Sequence, residues 1–394
     1  MLKVKEKNMS GREFIPLSIP SIDEETISEV CKVLRSGWLT TGAITERFEQ
    51  DLADYLGASC VMTTTSGTAG IHLAIVAVGI EPESEIITTP FTFVATANAI
   101  VHAGCVPVFA DIDPNTLNIS PKAIEEKITH KTKAIIPVHY AGVPADIDDV
   151  YKIAQTYNLR VIEDCAHAFG ASYKNKRIGS FGDVQVFSFH PIKNITTGEG
   201  GCVVLRNEQE QDLFARMRFH GINRSIWDRF KKQSGRLDYD VVCPGYKFNM
   251  SDIQSAIGIH QLKKVDEMNN RRRALVARYS SAFENWNKIF IPDKALYEYT
   301  RSGHLFPVIV NLEKIKLSRD EIIIALKKRN IGSIAYYYPL HIFTYYREKF
   351  GYAVNDFPEA ENAGAKVLCL PLYPDMTDDQ QDFVIDAFRA ILEE

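Results

Sequence analysis

The sequence has no cysteine pairing to build on. Its seven cysteines (Cys31, Cys60, Cys105, Cys165, Cys202, Cys243 and Cys369) are odd in number, widely spaced and without a C-x-x-C pair. That excludes a disulfide framework or a cysteine zinc site and predicts reduced thiols in the cytoplasm. No run of about 18 apolar residues occurs, which excludes a spanning helix. The opening "MLKVKEKNMSGREF" is charged and lacks the apolar stretch of a secretory signal. Basic residues are dispersed. With a net charge of −5 there is no nucleic-acid footprint. The one dense run, "NNRRRALVARY" at 269 to 279, reads as the solvated face of a helix. No H-E-x-x-H spacing, internal repeat or low-complexity tract is present, so a metal hydrolase built on Asp164, His167 and His190 is disfavoured and no metal is expected.

What is present is a long alternation. At 394 residues, 45% hydrophobic and 24% charged, the chain is large enough for one big domain and a smaller one. "SIDEETISEVCKVLRSG" reads as an amphipathic helix with a capping box from Ser21 to Glu24 and a stop at Gly37. β-rich runs follow at 60–65, 85–90, 106–112, 134–140, 160–165, 184–190 and 202–206, with helical stretches such as 68–79 and 144–158 between them. Strands alternating with helices predict an α/β fold whose mostly parallel sheet is covered on both faces. A long helical pattern from Ser251 bridges to a smaller α+β region. The expected division is 14–264 and 265–394.

Ligands of such sheets bind at the carboxyl ends of the strands, and three features fall there. "TTTSGTAG" ends the first strand and opens a helix, as either an anion cradle of amides and hydroxyls or an ordinary cap. "VIEDCAHAFGA" closes an apolar strand with Glu163 and Asp164. Asp164 either faces a protonated heterocyclic nitrogen, with His167 against the same ring, or caps a helix while His167 packs in the core. "FSFHPIKNITTGEGG" puts Lys193 in a glycine-closed loop, as either a solvated lysine or a desolvated nucleophilic amine. An anion cradle, a strand-end aspartate and a loop lysine together match the needs of pyridoxal phosphate (PLP).

These stretches, with "SGWLTTG", "PFTFVATANAI", "PVHYAGVPADID" and "PGYKFNMSDIQSAIG", resemble the DegT/DnrJ/EryC1/StrS family of sugar-nucleotide aminotransferases from about Phe14 to the C-terminus. The resemblance implies the fold-type-I aspartate-aminotransferase architecture and a homodimer with active sites at the interface. It implies that Lys193 bonds PLP as a Schiff base and that Asp164 keeps the pyridine nitrogen protonated. His167 would lie on or beside the ring and Phe93 over the other face, with Gly67, Thr68 and Ser188 at the phosphate. Where the family reads "GYNYRM" this chain reads "GYKFNM", so Lys247 and Asn249 stand at the positions reaching into the partner's site.

The implied reaction moves an amino group from L-glutamate, through pyridoxamine phosphate, to a nucleotide-linked keto sugar. "FSFHPIK" resembles the branch aminating C4, in wording most like enzymes that make UDP-4-amino-4-deoxy-L-arabinose. The C3 branch carries tyrosine where His190 stands. His190 and, from the run Tyr336 to Tyr338, Tyr338 are candidates for sugar contact, and the product would serve cell-surface polysaccharide or lipid. Alternatives are a PLP-dependent sugar dehydratase, whose relatives carry histidine in place of Lys193, and a noncatalytic PLP-binding regulator, for which no spare segment exists.

Overall fold

The computed structural model describes residues 13–223 and 239–394. The stretch 1–12, which holds most of the opening segment read above for targeting, lies outside the described residues. Every strand expected in the first half forms: β1 (Val61–Thr64), β2 (Glu85–Thr88), β3 (Val106–Phe109), β4 (Thr132–Ile136), β5 (Arg160–Asp164), then a short hairpin β6 (Ser172–Tyr173) and β7 (Lys176–Arg177), β8 (Val184–Ser188) and β9 (Gly201–Val204). Seven of them make one sheet in the order β1-β9-β8-β5-β4-β2-β3. All its pairings are parallel except those of β9, which runs antiparallel to both β1 and β8. The carboxyl ends of β1, β8, β5, β4 and β2 therefore open on the same edge of the sheet.

Helices cover both faces because the strands are apolar on both sides. Among them are α1 (Glu24–Ser36), α2 (Ala43–Leu56), α3 (Gly67–Ala77), α4 (Val94–His102), α5 (Pro121–Lys127), α6 (Ile147–Tyr157), α7 (Glu208–Met217) and α8 (Asp252–Ala282). One core joins Phe48, Leu52, Phe169, Phe187, Phe189 and Ile259 beneath α2 and α8. Another joins Leu73, Ile86, Ile162, Val186, Val203 and Phe214 beneath α3 and α7. The structure thus has the α/β architecture with a mostly parallel, helix-covered sheet that the alternation predicts.

Local departures have physical causes. The cap of α1 is Asp23, whose Oδ1 accepts from the Thr26 N–H at 2.8 Å, whereas Ser21 bonds Asp375 instead. A carboxylate gains from the helix dipole where a hydroxyl gains less, and Lys264 pairs with Asp23 besides. The basic run at 269 to 279 is only partly a solvated face. Arg271 and Arg278 pair with Asp378 and Asp382 of the last helix, but Arg272 is buried and donates to Asn269 Oδ1 at 3.1 Å.

The helix α8 is where the chain passes from one core to the other, so residue 265 falls in its middle. Its first half packs against α1 and α2, while Leu275, Val276 and Tyr279 join a separate C-terminal core with Phe306, Leu326, Leu370 and Phe388. Two segments cross that division. Ile15 bridges to Ile331 and packs in the C-terminal core, and the short strand Tyr299–Thr300 pairs with β6 of the large sheet region. No described helix is long and apolar enough to cross a membrane.

One buried carboxylate ties α8 to the rest. Asp252 accepts from the Gly42 N–H (2.8 Å), the Thr45 N–H (2.9 Å) and the Thr45 hydroxyl (2.7 Å), capping α2 from a distance in sequence of some 200 residues. Gly42 itself offers no capping side chain. Asp252→Ala leaves these buried donors unsatisfied and should lower stability by about 2–4 kcal/mol, read as a reduced midpoint in urea unfolding. An unchanged midpoint would mean that water replaces the carboxylate.

Candidate active site

A cavity of about 300 Å³ opens at the carboxyl edge of the sheet, within the range of small-molecule sites. Ser66 follows β1 and caps α3, accepting from the Ala69 N–H at 3.1 Å. Gly67 and Thr68 are the first residues of the helix, so their amides have no carbonyl within it to bond, and both line the cavity. Glycine at 67 keeps the approach close: a Cβ there would meet Ser188 Cβ at 3.0 Å and Ser188 Cα at 3.4 Å, tight enough that Ser188 would have to give by a few tenths of an ångström. That close approach brings the helix start and Ser188, at the end of β8, to one corner of the wall.

Asp164 ends β5 and is buried in the wall. Its Oδ2 accepts from the Thr96 hydroxyl at 2.7 Å and its Oδ1 from the Ala166 N–H at 3.1 Å. Because Thr96 spends its hydrogen on Asp164, the Thr92 hydroxyl 3.1 Å away must donate to it, and a short relay Thr92 to Thr96 to Asp164 results. His167 lies one turn on. Its Nδ1 faces the Ala141 N–H at 3.3 Å and its Nε2 the Tyr337 hydroxyl at 3.1 Å. Burial, with Lys193 and His139 nearby, holds its ring well below the usual histidine range.

Lys193 lines the same cavity and, among the described residues, its amine has no hydrogen-bond partner. Burial lowers its pKa from 10.5 to about 8, against the pull of Asp164 in the other direction. The neighbouring side chain fixes the loop: Asn194 is buried and donates to Asn269 Oδ1 (2.7 Å) and the Ser302 carbonyl (3.0 Å). With residue 194 turned into the protein, residue 193 is left facing the cavity. His190 lines the wall at a half-exposed position, its Nε2 4.0 Å from Glu199.

Of the residues picked from the sequence, Gly67, Thr68, Phe93, Asp164, His167, Ser188, His190 and Lys193 line this cavity. Phe93, 56% exposed, stands at the start of α4 with its ring 6.4 Å from that of Tyr337. Lys247, Asn249 and Tyr338 do not line it. Lys247 Nζ donates to Asn249 Oδ1 at 2.8 Å and lies over the Phe219 ring, while Asn249 donates to the Thr41 hydroxyl. Tyr338 points away and accepts from Arg319 at 2.7 Å; Tyr336 and Tyr337 are the tyrosines of that run that reach the wall.

The sequence reading missed Thr96 and His304. Thr96 sits three residues after Phe93, a spacing that puts both on one side of α4, and that was the available signal. His304 gave none, being a lone histidine before a strand. It is buried, its ring 4.2 Å from that of His167, and its Nε2 is without a partner among the described residues.

A buried carboxylate, an enclosed amine and a helix start with open amides, set around one cavity, can receive a pyridine nitrogen, an aldehyde and a phosphate respectively. The fold and these groups define a PLP-dependent enzyme. The chain belongs to the DegT/DnrJ/EryC1/StrS aminotransferase family, whose profile matches residues 20–389, and it is a sugar aminotransferase using PLP. It is 45% identical over 386 residues to the Methanocaldococcus jannaschii protein MJ1066, covering 98% of this chain and 100% of that one; MJ1066 is itself uncharacterized. It is 43% identical over 383 residues to the Bacillus subtilis spore coat polysaccharide biosynthesis protein SpsC, covering 96% and 97%. Spr1654 of Streptococcus pneumoniae, assigned as a sugar aminotransferase and solved in its PMP form, superposes with a TM-score of 0.88 at 33% identity, covering 96% of this chain and 99% of that one.

The lowered pKa of Lys193 sets a pH dependence. An amine attacks an aldehyde only when neutral, and with a pKa of about 8 the neutral form dominates above that pH. On adding PLP to the apoprotein, the rate at which the visible absorption band appears should rise with pH and level off just above 8. A rise that continues toward 10.5, the ordinary lysine value, would contradict the desolvated site.

Proposed function

We propose that the protein moves the amino group of L-glutamate to the C4 ketone of a UDP- or dTDP-linked 4-keto sugar. The observation that carries this is the enclosed Lys193 amine, unpartnered and of lowered pKa, in one cavity with Asp164 and the open amides of α3. When bound, PLP supplies the electron sink that lets a proton leave the carbon bearing the amino group.

The chain's own groups have distinct tasks. Asp164, anchored by Thr96 and the Ala166 amide, holds a proton at the pyridine nitrogen. Gly67, Thr68 and Ser188 hold the phosphate at the start of α3, where the helix dipole favours an anion. His167 and Phe93 bound the ring. Lys193 would hold the aldehyde and, when its amine is free, would be the base that takes and returns the proton at the carbon bearing the amino group in both halves of the reaction. A histidine in its place, as in the related dehydratases, has no primary amine to bond the aldehyde.

His190, half-exposed in the wall, is where we place the sugar, and its identity favours C4 over C3. Lys247 and Asn249 lie outside the cavity of their own chain, which suits groups that serve the site of a partner in a homodimer. The likeness to SpsC supports a product that enters a cell-surface polysaccharide, and the seven unpaired thiols suit the cytoplasm.

Glutamate should remove the visible band of the PLP-loaded protein with release of 2-oxoglutarate, and a UDP- or dTDP-4-keto sugar should restore it. Lys193→Ala should slow the glutamate step by about 10³-fold or more while PLP still binds noncovalently. NMR of the product decides the position: an amine at C4 supports the assignment, and turnover of 3-keto sugars alone overturns it.

A further inference from the structure

His304 comes just before the strand Phe306–Val310, is buried, and lends its ring to the cavity wall. Its two nitrogens are not equivalent. Nε2 is shut off from solvent and has no hydrogen-bond partner among the described residues. Nδ1 is also unbonded among them but is not shut off, so it is the nitrogen that keeps an opening toward the cavity. Burial, with the charges of Lys193 and Arg272 nearby, keeps the ring neutral. One nitrogen therefore carries a hydrogen and the other a lone pair.

What lies behind the ring decides which is which. Arg272 is buried and does not belong to the wall. Gly303, next to His304 in the chain, has φ 69° and packs so closely that a Cβ there would lie 3.0 Å from Arg272 Cβ. The guanidinium is thus on the inner side of His304. Its Nη1 donates to Asn269 Oδ1, a neutral amide oxygen, and no carboxylate among the described residues forms a salt bridge with it; Asp375, the acid whose charge reaches it, accepts from the Ser21 hydroxyl. A lone pair on Nε2 gains from that positive charge, whereas an N–H there would be repelled and left unbonded. Nδ1 accordingly carries the hydrogen and offers a donor to the cavity.

The place of His304 in the wall limits what that donor can meet. Its ring is 4.2 Å from that of His167, and the charge of Lys193 acts on it directly. The nitrogen of an amino donor must come to where the Lys193 amine stands, which brings the carbon bearing it, and the carboxylate on that carbon, to this part of the wall. A keto sugar offers only uncharged hydroxyls there, because its phosphates lie at the nucleotide end. A donor backed by a buried, uncompensated cation favours a charged acceptor over a neutral one. The same carboxylate would offset the Arg272 charge, whose burial without a carboxylate is otherwise unfavourable.

We propose that His304 donates from Nδ1 to the α-carboxylate of the amino donor, with the charge of Arg272 behind it, and that this contact selects an amino acid over a simple amine. It rests on the donor half of the function proposed above. Nothing equivalent is required for the keto sugar, so His304 is a specificity residue for one half of the reaction only.

The experiment follows the visible band of the PLP-loaded protein as L-glutamate or methylamine is added; methylamine is an amine with no carboxylate. In His304→Phe the L-glutamate concentration giving half the maximal rate should rise about tenfold or more, the effect of losing a hydrogen bond to a charged group, while the response to methylamine stays the same. His304→Asn, which keeps a donor close to the place of Nδ1, should recover most of the loss. A second readout uses the wild type alone: it should prefer L-glutamate to L-glutamate 1-amide, in which the α-carboxylate is an uncharged amide, by about tenfold or more.

A loss that is equal for L-glutamate and methylamine means that the wall has merely loosened, and it overturns the proposal, as does no loss for either. If His304→Phe does not fold, the wild type still decides, since equal use of L-glutamate and its 1-amide overturns the proposal too. A wild type whose band responds to methylamine but not to L-glutamate is a different failure: it removes glutamate as the donor, and this proposal with it.

Discussion

Enclosing a lysine amine and an aspartate carboxylate in one cavity is the constraint from which the rest of the site follows. Each group loses water there, and the protein treats them unequally. Asp164 receives two hydrogen bonds, from Thr96 and the Ala166 amide, whereas the amine of Lys193 receives none from the described residues. The consequence is an acidic group already satisfied and a basic group whose pKa falls to about 8, near enough to neutrality to change its proton state during a reaction. A lysine left in water would sit more than two units higher and stay charged.

That imbalance needs a rigid frame, which a buried polar hub provides. Asn194 ties the Lys193 loop to Asn269 of α8 and to the Ser302 carbonyl; the Ser302 hydroxyl then donates to the His167 carbonyl at 2.5 Å. The Ser302 amide closes on the Gly142 carbonyl at 3.1 Å. Gly142 has φ 83°, and a Cβ there would lie 2.0 Å from the Ser302 hydroxyl, so no other residue could occupy that turn. Through these bonds the loop with the amine, the histidine beside the cavity and the turn after β4 share one anchor. Satisfied networks of this kind fix geometry more firmly than their separate bonds would.

The long helix α8 gives the hub its position. Asn269 lies where α8 leaves the large core, between Val265, in the core under the sheet, and Leu275, in the C-terminal core. Arg272, one turn further, is buried against Asn269 with its pKa lowered to about 10 by loss of water. A charge of that kind is tolerable only beside polar partners. Its burial in what reads as a basic surface run marks the helix face that turns inward.

The seven strands were legible because each is a short apolar run between breakers, a signal contained within a few residues. The lysine, the aspartate and the helix start were legible too, since each lies next to its strand and strand ends are where such sheets hold ligands. The cap at Asp23, the buried Arg272 and the choice among three consecutive tyrosines were not. In each case a residue outside the local segment decides: Lys264 and Asp375 at the cap, Gly303 at the arginine, Arg319 for Tyr338. His304 and Thr96 join the site for the same reason. The sequence by itself determined the order of elements and the kinds of group each strand end would present. Only the tertiary structure decided which of those groups share a cavity, because burial and hydrogen-bond direction depend on neighbours that the chain brings together from 19 to 354 residues apart.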